Sequence, residues 1–308
     1  MPEPPARLAV VGSLNLDLVT RVARLPGPGE TLLADGYRQS LGGKGANQAV
    51  SAARHGVDVA MIACVGDDPE GARLTDALAS EGVDVTAVSR RADVPTGVAH
   101  IAVDPQGVNT IVVAQGANGE LARAEVLEAL ERLATPDVVL IQLEIPLEAV
   151  AAAAATEGAR IVLNPAPART LPAELLRRVD VLVPNLPELA ALTGGGAPES
   201  LEAIAGRARD LAAGGAVVVT LGERGALVLD ADGETHVAAP EVEAIDTTGA
   251  GDAFCGSLAA QLARGHALVD AVRDAVQVAA LSTTRPGALE AFPSRDEIQA
   301  ALARPSVG

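Results

Sequence analysis

Short apolar runs alternate with amphipathic stretches of helical length along most of the chain. The apolar runs have the length of buried strands, and the stretches between them repeat with the period of a helix. Strands that are separated by helices pair in parallel, so the pattern predicts an α/β fold, a three-layer sandwich with a mostly parallel central sheet. The predicted strands are 8–12, 58–65, 138–143, 161–163, 181–183 and 216–221, and the predicted helices are 44–55, 70–80, one ending at 156, 187–192, 201–213, 253–262, 268–281 and 295–303.

Two regions depart from this rhythm because apolar and polar residues alternate there one by one. They comprise the stretches 14–19 and 31–40, and the stretches 97–103 and 109–114. We therefore expect the segments 14–40 and 97–115 to form a small antiparallel sheet inserted into the main domain. Ligands of α/β sheets bind at the carboxyl ends of the strands, so such a sheet would act as a lid there. A hairpin is predicted at 226–229 and 235–239, and a further β-like run at 236–245.

Composition and charge limit the class of protein. A hydrophobic fraction of 49% over 308 residues is enough for a sizeable core in one large domain or two modest ones. The net charge of -17 repels polyanions, which argues against nucleic acid or an anionic membrane as a partner. Without a basic-then-apolar start we expect a cytoplasmic protein, and Cys64 and Cys255 read as buried reduced thiols. Because aromatic residues are nearly absent, a pocket for a nucleobase needs aliphatic walls.

The stretch DTTGAGDAFCG at 246–256 carries the strongest chemical signal. A glycine-rich turn that enters a helix leaves backbone N–H groups free, and with the helix dipole these groups bind anions. We expect the amides of Gly249, Ala250 and Gly251 to form an anion hole for a phosphoryl group. Asp252 beside them would take the proton of an attacking hydroxyl. The alternative is an ordinary turn in which Asp252 caps the helix.

This string resembles the signature found near the C-terminus of the ribokinase-like (PfkB) family of sugar and nucleoside kinases. The octet GGKGANQA at 42–49 resembles the family's N-terminal signature, most closely that of its ribose-phosphorylating members. The resemblance runs from residue 10 to about 293 and implies a single ribokinase-like α/β domain over 1–308. It implies ATP-dependent phosphorylation of D-ribose at O5, with Mg²⁺ and K⁺ as cofactors. Another sugar or nucleoside kinase of the family, or a non-catalytic sugar or nucleotide sensor, remains an alternative.

Candidate sugar ligands come from three places. Asn15 and Asp17 are two apart on an extended segment, so both face one side and could bind a sugar diol, although alone they would read as a turn pair. Glu144 follows a strand and is either an exposed acid or, by resemblance to the QLE motif, a sugar ligand. Lys44 is the only lysine in the chain. The expected substrate-binding residues are Asn15, Asp17, Gly43, Lys44, Asn47, Glu144 and Asp252.

The nucleotide and metal residues are implied mainly by resemblance. Asn185 and Glu188 match the family's NxxE element for magnesium and phosphate, although the same pair could be a simple capping box. The chain is also expected to form a homodimer through the small sheet. Expected for the nucleotide are Asn185, Glu188, Thr220, Gly222, Arg224, Gly225, Gly251 and Gln277. Expected for a K⁺ ion are Asp246 and Thr248 with backbone carbonyls near Ser282, Arg285, Gly287 and Ala291.

Overall fold

The computed structural model describes residues 6–133 and 135–303, and these form two sheets with helices around the larger one. The strands are β1 (Arg7–Val11), β2 (Asn15–Arg21), β3 (Gly36–Gly42), β4 (Asp58–Gly66), β5 (Asp84–Arg91), β6 (Gly97–Val103), β7 (Asn109–Ala114), β8 (Val138–Ile141), β9 (Arg160–Leu163), β10 (Val181–Leu182), β11 (Ala216–Thr220), β12 (Ala226–Asp230) and β13 (Gly233–Val237). Nine of them form the large sheet in the order β13-β12-β11-β10-β9-β8-β1-β4-β5. Neighbours from β5 to β11 are parallel, and β12 and β13 add an antiparallel hairpin, which confirms the predicted mostly parallel sheet.

Helices cover both faces of this sheet. They are α1 (Lys44–Arg54), α2 (Pro69–Ser80), α3 (Arg123–Arg132), α4 (Leu147–Ala153), α5 (Ala173–Leu176), α6 (Leu186–Thr193), α7 (Leu201–Leu211), α8 (Ala250–Ala263), α9 (Leu268–Ser282) and α10 (Arg295–Leu302). In β1, Leu8 and Val10 pack with α1, α2, α8 and α9, whereas Ala9 and Val11 pack with α3, α4 and α7 on the other face. The three layers therefore follow from the alternation of side chains along a strand that is buried on both sides.

Helix α8 is the most buried helix, and its position brings the site together. Every residue from Asp252 to Ala263 is buried; most are apolar, and the polar residues Asp252, Ser257 and Gln261 are buried with them. It packs between α1 and α9. A Cβ atom at Gly256 would lie 2.4 Å from the backbone oxygen of Gln48, so only glycine lets α1 approach this closely. The close approach places the first turns of α1 and α8 side by side.

The small sheet has the strand order β3-β2-β6-β7 and contains the segments predicted for it. The outer pairs β2–β3 and β6–β7 are antiparallel, while β2 and β6 pair in parallel at the centre. Strand β2 begins four residues after β1 ends, so the small sheet leaves the large one at the carboxyl end of a central strand. This is the edge at which parallel sheets bind ligands. No helix within 6–133 and 135–303 has the length and apolar character needed to cross a membrane.

Some predicted boundaries were wrong. Strand β3 begins at Gly36 rather than at 31, and the β-like run at 236–245 is a strand only as far as Val237. Pro240 lies in the remainder of that run, lacks an N–H group for a ladder, and lines a cavity instead. The sequence pattern also missed β5 and α3. Most side chains of β5 are only partly buried or exposed, so its apolar signal is weak.

Candidate active site

The turn before α8 leaves backbone donors pointing out of the helix. Gly249 caps the helix in the left-handed conformation, with φ 77°, and Ala250 begins it. Within the described residues, the N–H groups of Gly249, Gly251 and Asp252 have no hydrogen-bond partner. The N–H of Ala250 donates to the carbonyl of Thr247 at 3.2 Å, so the turn already uses one of the three amides predicted for the anion hole. The helix start thus offers free amides for an anion, contributed by Gly249, Gly251 and Asp252.

The Asp252 carboxylate is held at both oxygens. Asn47 Nδ2 donates to Oδ2 and Gln48 Nε2 donates to Oδ1, each at 2.9 Å. The side chain is 8% exposed, yet each carboxylate oxygen keeps a lone pair beyond the bond it accepts. Asn47 Oδ1 is buried and has no partner among the described residues. This free acceptor fits a ligand hydroxyl that would complete its hydrogen bonding.

Glu144 lies at the centre of a second polar group, which closes the other side of the site. Its Oε2 accepts from Ser13 Oγ, from the Lys44 N–H at 3.3 Å and from Asn15 Nδ2 at 3.5 Å. Asn15 is fixed in turn, because Asn118 Nδ2 donates to its Oδ1 at 2.8 Å. The structure therefore brings Asn15, Lys44 and Glu144 together as predicted, with Ser13 and Asn118 behind them.

Asp17 adds a third carboxyl group to this site. Its pKa is raised to about 7, first by burial and then by the charges of Glu144, Asp252 and Glu290, against the opposing charge of Arg38. A Cβ atom at Gly42 would lie 2.3 Å from an Asp17 carboxylate oxygen, so the carboxyl group packs against the glycine pair before α1. Three clustered carboxyl groups suit a neutral ligand rich in hydroxyl donors and disfavour an anionic one.

Lys44 and Glu188 act on each other through their charges, and both are acted on by Asp252. Burial opposes the charge of Lys44, but Asp252, Glu144 and Glu188 outweigh it and raise the lysine pKa. Burial raises the pKa of Glu188, against a hydrogen bond from Asn185 N–H and the charge of Lys44. Asn185 and Glu188 also form the capping box of α6, with bonds of 2.8 and 2.9 Å. The capping box is therefore present, and it holds Glu188 where its charge acts on Lys44 and where the charge of Asp252 acts on it.

A cavity of about 780 Å³ opens beside the first turn of α8. Its walls are mainly aliphatic, as the shortage of aromatic residues predicted, and Phe254 contributes the one aromatic ring in its lining. Gln277 does not line it; Val276 and Ala280 of the same helix do. Asn185 and Glu188 also lie outside the lining, although Asn185 bridges to Thr220 at the cavity's edge. The predicted nucleotide residues that do line the cavity are Thr220, Gly222, Arg224, Gly225 and Gly251.

Asp246 ties together the two segments predicted to hold a monovalent cation. Its Oδ1 accepts from Thr248 N–H at 2.9 Å and its Oδ2 from Gly287 N–H at 2.8 Å. Although burial opposes ionisation, these bonds and the charge of Arg38 lower the pKa of Asp246. Ser282 and Ala291, on either side of Gly287 in the sequence, are buried. The guanidinium of Arg285 pairs with Glu297, and because it is itself a cation, Arg285 could bind K⁺ only through its backbone carbonyl.

The loop that follows α9 packs directly under the anion hole. A Cβ atom at Gly249 would meet Ala288 and Phe292 at 3.1 Å. The loop that Asp246 binds through Gly287 therefore packs against Gly249, the left-handed residue that caps α8. A carboxylate with low pKa, together with backbone carbonyls, is a set of hard oxygen ligands that fits K⁺.

Sequence reasoning missed several polar residues that the fold brings to the site. Gln48 neighbours Asn47 in the recognised octet, but the pattern did not show that two successive helical side chains both reach Asp252. Arg38 was missed because it lies on a mostly exposed strand. Ser13 and Asn118 carry no local signal, since they act across 131 and 103 residues of chain.

Comparison with known proteins gives a consistent result. The profile of the pfkB family carbohydrate kinases matches residues 5–295. Ribokinase of Haemophilus influenzae is 39% identical over 94% of this chain and 96% of its own length, and deoxyribokinase of Salmonella typhi is 38% identical with the same coverage. The structure of Arabidopsis thaliana ribokinase complexed with ribose and ATP is 29% identical, with a TM-score of 0.87 over 98% of this chain and 100% of that chain.

Proposed function

The chain belongs to the pfkB family of carbohydrate kinases, and on that premise we propose that it transfers the γ-phosphoryl group of ATP to O5 of D-ribose. One observation carries this proposal above the others. The charge of Asp252 acts on Asp17 in the carboxyl cluster, and its chain neighbour Gly251, whose amide is free, lines the cavity. A base in that position can face the acceptor hydroxyl on one side and the phosphoryl donor on the other.

The acceptor side supports a neutral sugar. Asp17, Glu144 and Asp252 supply carboxylate acceptors, and Asn15 and Asn47 supply amides, which together match the several hydroxyl groups of a furanose. The same negative charge disfavours a sugar phosphate as acceptor. Lys44 is already under the influence of three carboxylates, and the other cation on this side, Arg38, acts on Asp17.

The donor side supports ATP. The largely aliphatic cavity, whose lining includes Val242, Val276 and Ala280, would accommodate a nucleobase, and Gly222 and Gly225 in the same lining would let phosphates approach the backbone. A Cβ atom at Gly251 would meet nothing within 4 Å, so a phosphate can approach the helix start closely.

The mechanism follows from these positions. Asp252 takes the proton of O5 while the oxygen attacks the γ-phosphorus in line; the bond from this phosphorus to the β–γ bridging oxygen breaks, ADP leaves, and the free amides of α8 stabilise the charge on the moving phosphoryl group. Asn47 and Gln48 keep the carboxylate oriented during the transfer. Bound with the nucleotide, Mg²⁺ supplies charge neutralisation at the phosphate oxygens, and Glu188 with Asn185 would hold it.

We extend the proposal to K⁺ at Asp246. The carboxylate and nearby carbonyls would hold the ion away from both substrates, beneath the turn that presents the amides. The contribution expected of the ion is to fix the conformation of Gly249, since the supporting loop packs against that residue.

The test is an ADP-release assay across pentoses, hexoses, nucleosides and sugar phosphates, with the phosphorylated product identified by NMR. D-ribose should give the highest kcat/KM, with phosphate on O5. Asp252→Asn should retain both substrates but lose about 10²–10⁴ in turnover, the range typical of a general base. Turnover of the variant close to that of the wild type would show that Asp252 only caps the helix. Ribose binding without any ADP release by the wild type would instead favour a sugar sensor.

A second candidate acceptor is 2-deoxyribose, favoured by the 38% identity to a deoxyribokinase. The two sugars differ by one hydroxyl, and a site that hydrogen-bonds this hydroxyl loses about 1.5–3 kcal/mol with the analogue when the partner is charged. Competition between the two sugars in one assay gives the ratio of their kcat/KM values directly. A ratio near one would contradict ribose as the specific acceptor.

We also propose that two copies pair through the small sheet. Strand β7 is an edge strand, and all six of its side chains are exposed, with Ile111 and Val112 53% and 62% accessible. An apolar edge strand is a template for pairing with a second copy. Val112→Lys should shift the protein from dimer to monomer in analytical ultracentrifugation, whereas Leu201→Lys, at an exposed leucine on α7, should not. A wild-type monomer at assay concentrations would refute the pairing.

A further inference from the structure

A chain of buried side-chain amides leads from the large sheet to Asp252. Gln142 Nε2 donates to Gln48 Oε1 at 2.6 Å, and Gln48 Nε2 donates both to Asp252 Oδ1 at 2.9 Å and to Asn164 Oδ1 at 3.1 Å. Asn164 Nδ2 donates to the carbonyl of Val183 at 3.0 Å. Gln48 and Gln142 are fully buried and Asn164 is 8% exposed, so water does not compete for these bonds.

The groups at the two ends of this row of amides determine the direction of every hydrogen bond within it. The carbonyl of Val183 can only accept, so Asn164 must turn its Nδ2 toward it and its Oδ1 toward Gln48. The Asp252 carboxylate can also only accept. Gln48 must therefore present Nε2 to two oxygens, Asp252 Oδ1 and Asn164 Oδ1. Gln48 Oε1 is then left facing Gln142, which must donate. Each glutamine therefore has one amide orientation that satisfies its neighbours.

Gly12 provides the space for this arrangement. A Cβ atom there would lie 1.8 Å from Gln142 Oε1 and 2.9 Å from its Cδ, so any larger residue would displace the Gln142 amide. Gln142 Oε1 has no hydrogen-bond partner within the described residues. A buried acceptor without a partner is unfavourable, and the amide is held in place by its donation to Gln48.

We propose that Gln48 and Gln142 are positioning residues, with Gln142 locking the amide of Gln48 so that its N–H donor always faces the base Asp252. If Gln48 turned over, its carbonyl oxygen would face the carboxylate, and the repulsion would move Asp252 away from the acceptor hydroxyl. This inference rests on the proposed function, because it assigns how the base is oriented. Gln142 does not touch Asp252, so its influence is exerted only through Gln48.

Two substitutions of similar size at Gln142 test the lock. Gln142→Met removes the donor and should lower kcat, by up to about 10²-fold if the base is misplaced by an ångström, with KM for both substrates unchanged. In Gln142→Glu the introduced carboxyl group can donate only while protonated. Its burial raises its pKa above the usual value, so kcat should fall as the pH rises through that pKa, because the ionised group would turn the Gln48 amide over. Gln142→Met should lack this limb of the pH profile. Gln299→Met, at an exposed position on α10, is the control and should match the wild type.

A purely structural role for Gln142 predicts lower thermal stability, unchanged kcat per folded molecule and one shared pH profile for both variants. That result would overturn the proposal. If neither Gln142 variant folds, Gln48→Met leaves Asn47 as the one amide donor to Asp252, and an unchanged kcat there would also overturn it. The side-chain amide resonances of Gln48 give a readout without turnover: they should shift in both Asp252→Asn and Gln142→Met. If the wild type phosphorylates no pentose but the Gln48 resonances still shift in the two variants, the proposed function is refuted and the amide lock is retained.

Discussion

Because the pKa of Asp17 is about 7, we expect the affinity for ribose to depend on pH near neutrality. Above this pKa the side chain is a carboxylate that accepts strong hydrogen bonds from sugar hydroxyls, and below it the neutral acid accepts weaker ones. From the pKa, the ionised fraction is about 10% at pH 6 and about 90% at pH 8. If the ionised form alone binds, the dissociation constant for ribose should fall about tenfold between these pH values.

Two remote charges allow the midpoint of this transition to be moved in opposite directions. Glu290 raises the pKa of Asp17 and Arg38 lowers it. Glu290→Gln should therefore shift the midpoint to lower pH, and Arg38→Gln should shift it to higher pH. Arg21→Gln removes a charge from the same strand as Asp17 but not one of the charges that act most strongly on its pKa, so it should move the midpoint much less than either of these variants.

The measurement is isothermal titration calorimetry with ribose, in the absence of nucleotide, from pH 5.5 to 8.5 in buffers of equal ionic strength. Omitting ATP separates sugar binding from ionisations at the phosphates. A ribose affinity that is independent of pH, or two variants that move the midpoint in the same direction, would refute the role of the Asp17 carboxylate.

Three further predictions follow from the same contacts. Asp246→Ala should lower turnover and abolish activation by K⁺ together; full wild-type activity in a buffer free of K⁺ and Na⁺ would remove the cation site from the mechanism. Gly251→Ala should stabilise α8 by about 0.5–1 kcal/mol, because the added Cβ meets no atom, yet raise KM for ATP, because the Cβ occupies the space that a phosphate would enter. The control Gly206→Ala in α7 should also stabilise the protein but leave KM unchanged, and equal kinetics in both variants would argue against a phosphate at Gly251. Asp17→Asn should unfold at a higher temperature than the wild type at pH 8, because burial of the ionised carboxylate destabilises the fold. This difference in unfolding temperature should shrink as the pH falls from about 7 toward 3.8, the pKa of the side chain in the unfolded chain, and a difference that grows toward acid would contradict the raised pKa.

The sequence predicted those parts of the fold that local pattern determines. Strands buried on both faces, such as β1 and β8, stand out as apolar runs, and α8 stands out because most of its residues are apolar. Edges were harder to predict. In β3 the side chains from Tyr37 to Gln39 are exposed, so neither hydrophobicity nor charge indicates where the strand begins.

The site was predicted where a motif supplies both the residue and its neighbours, as at Asn47 and Asp252. It was missed where the contact depends on a helix's rotation about its axis. Successive helical residues point about 100° apart, so the difference between Gln277 and Val276 decides which one faces the cavity. Long-range contacts such as Gln142 with Gln48, 94 residues apart, leave no local trace in the sequence.

The two substrate sides of the site come from different halves of the chain, and this division has an evolutionary consequence. Asp252 is shared by both sides; the other residues around the acceptor lie between Ser13 and Glu144, and the donor cavity is lined by residues from Thr220 to Thr283. Selection can therefore alter the choice of sugar through the N-terminal half while the ATP-binding half stays constant. A crossover between two homologous genes near residue 150 would exchange acceptor preference in a single recombination event, which gives such a family a short route to new substrates.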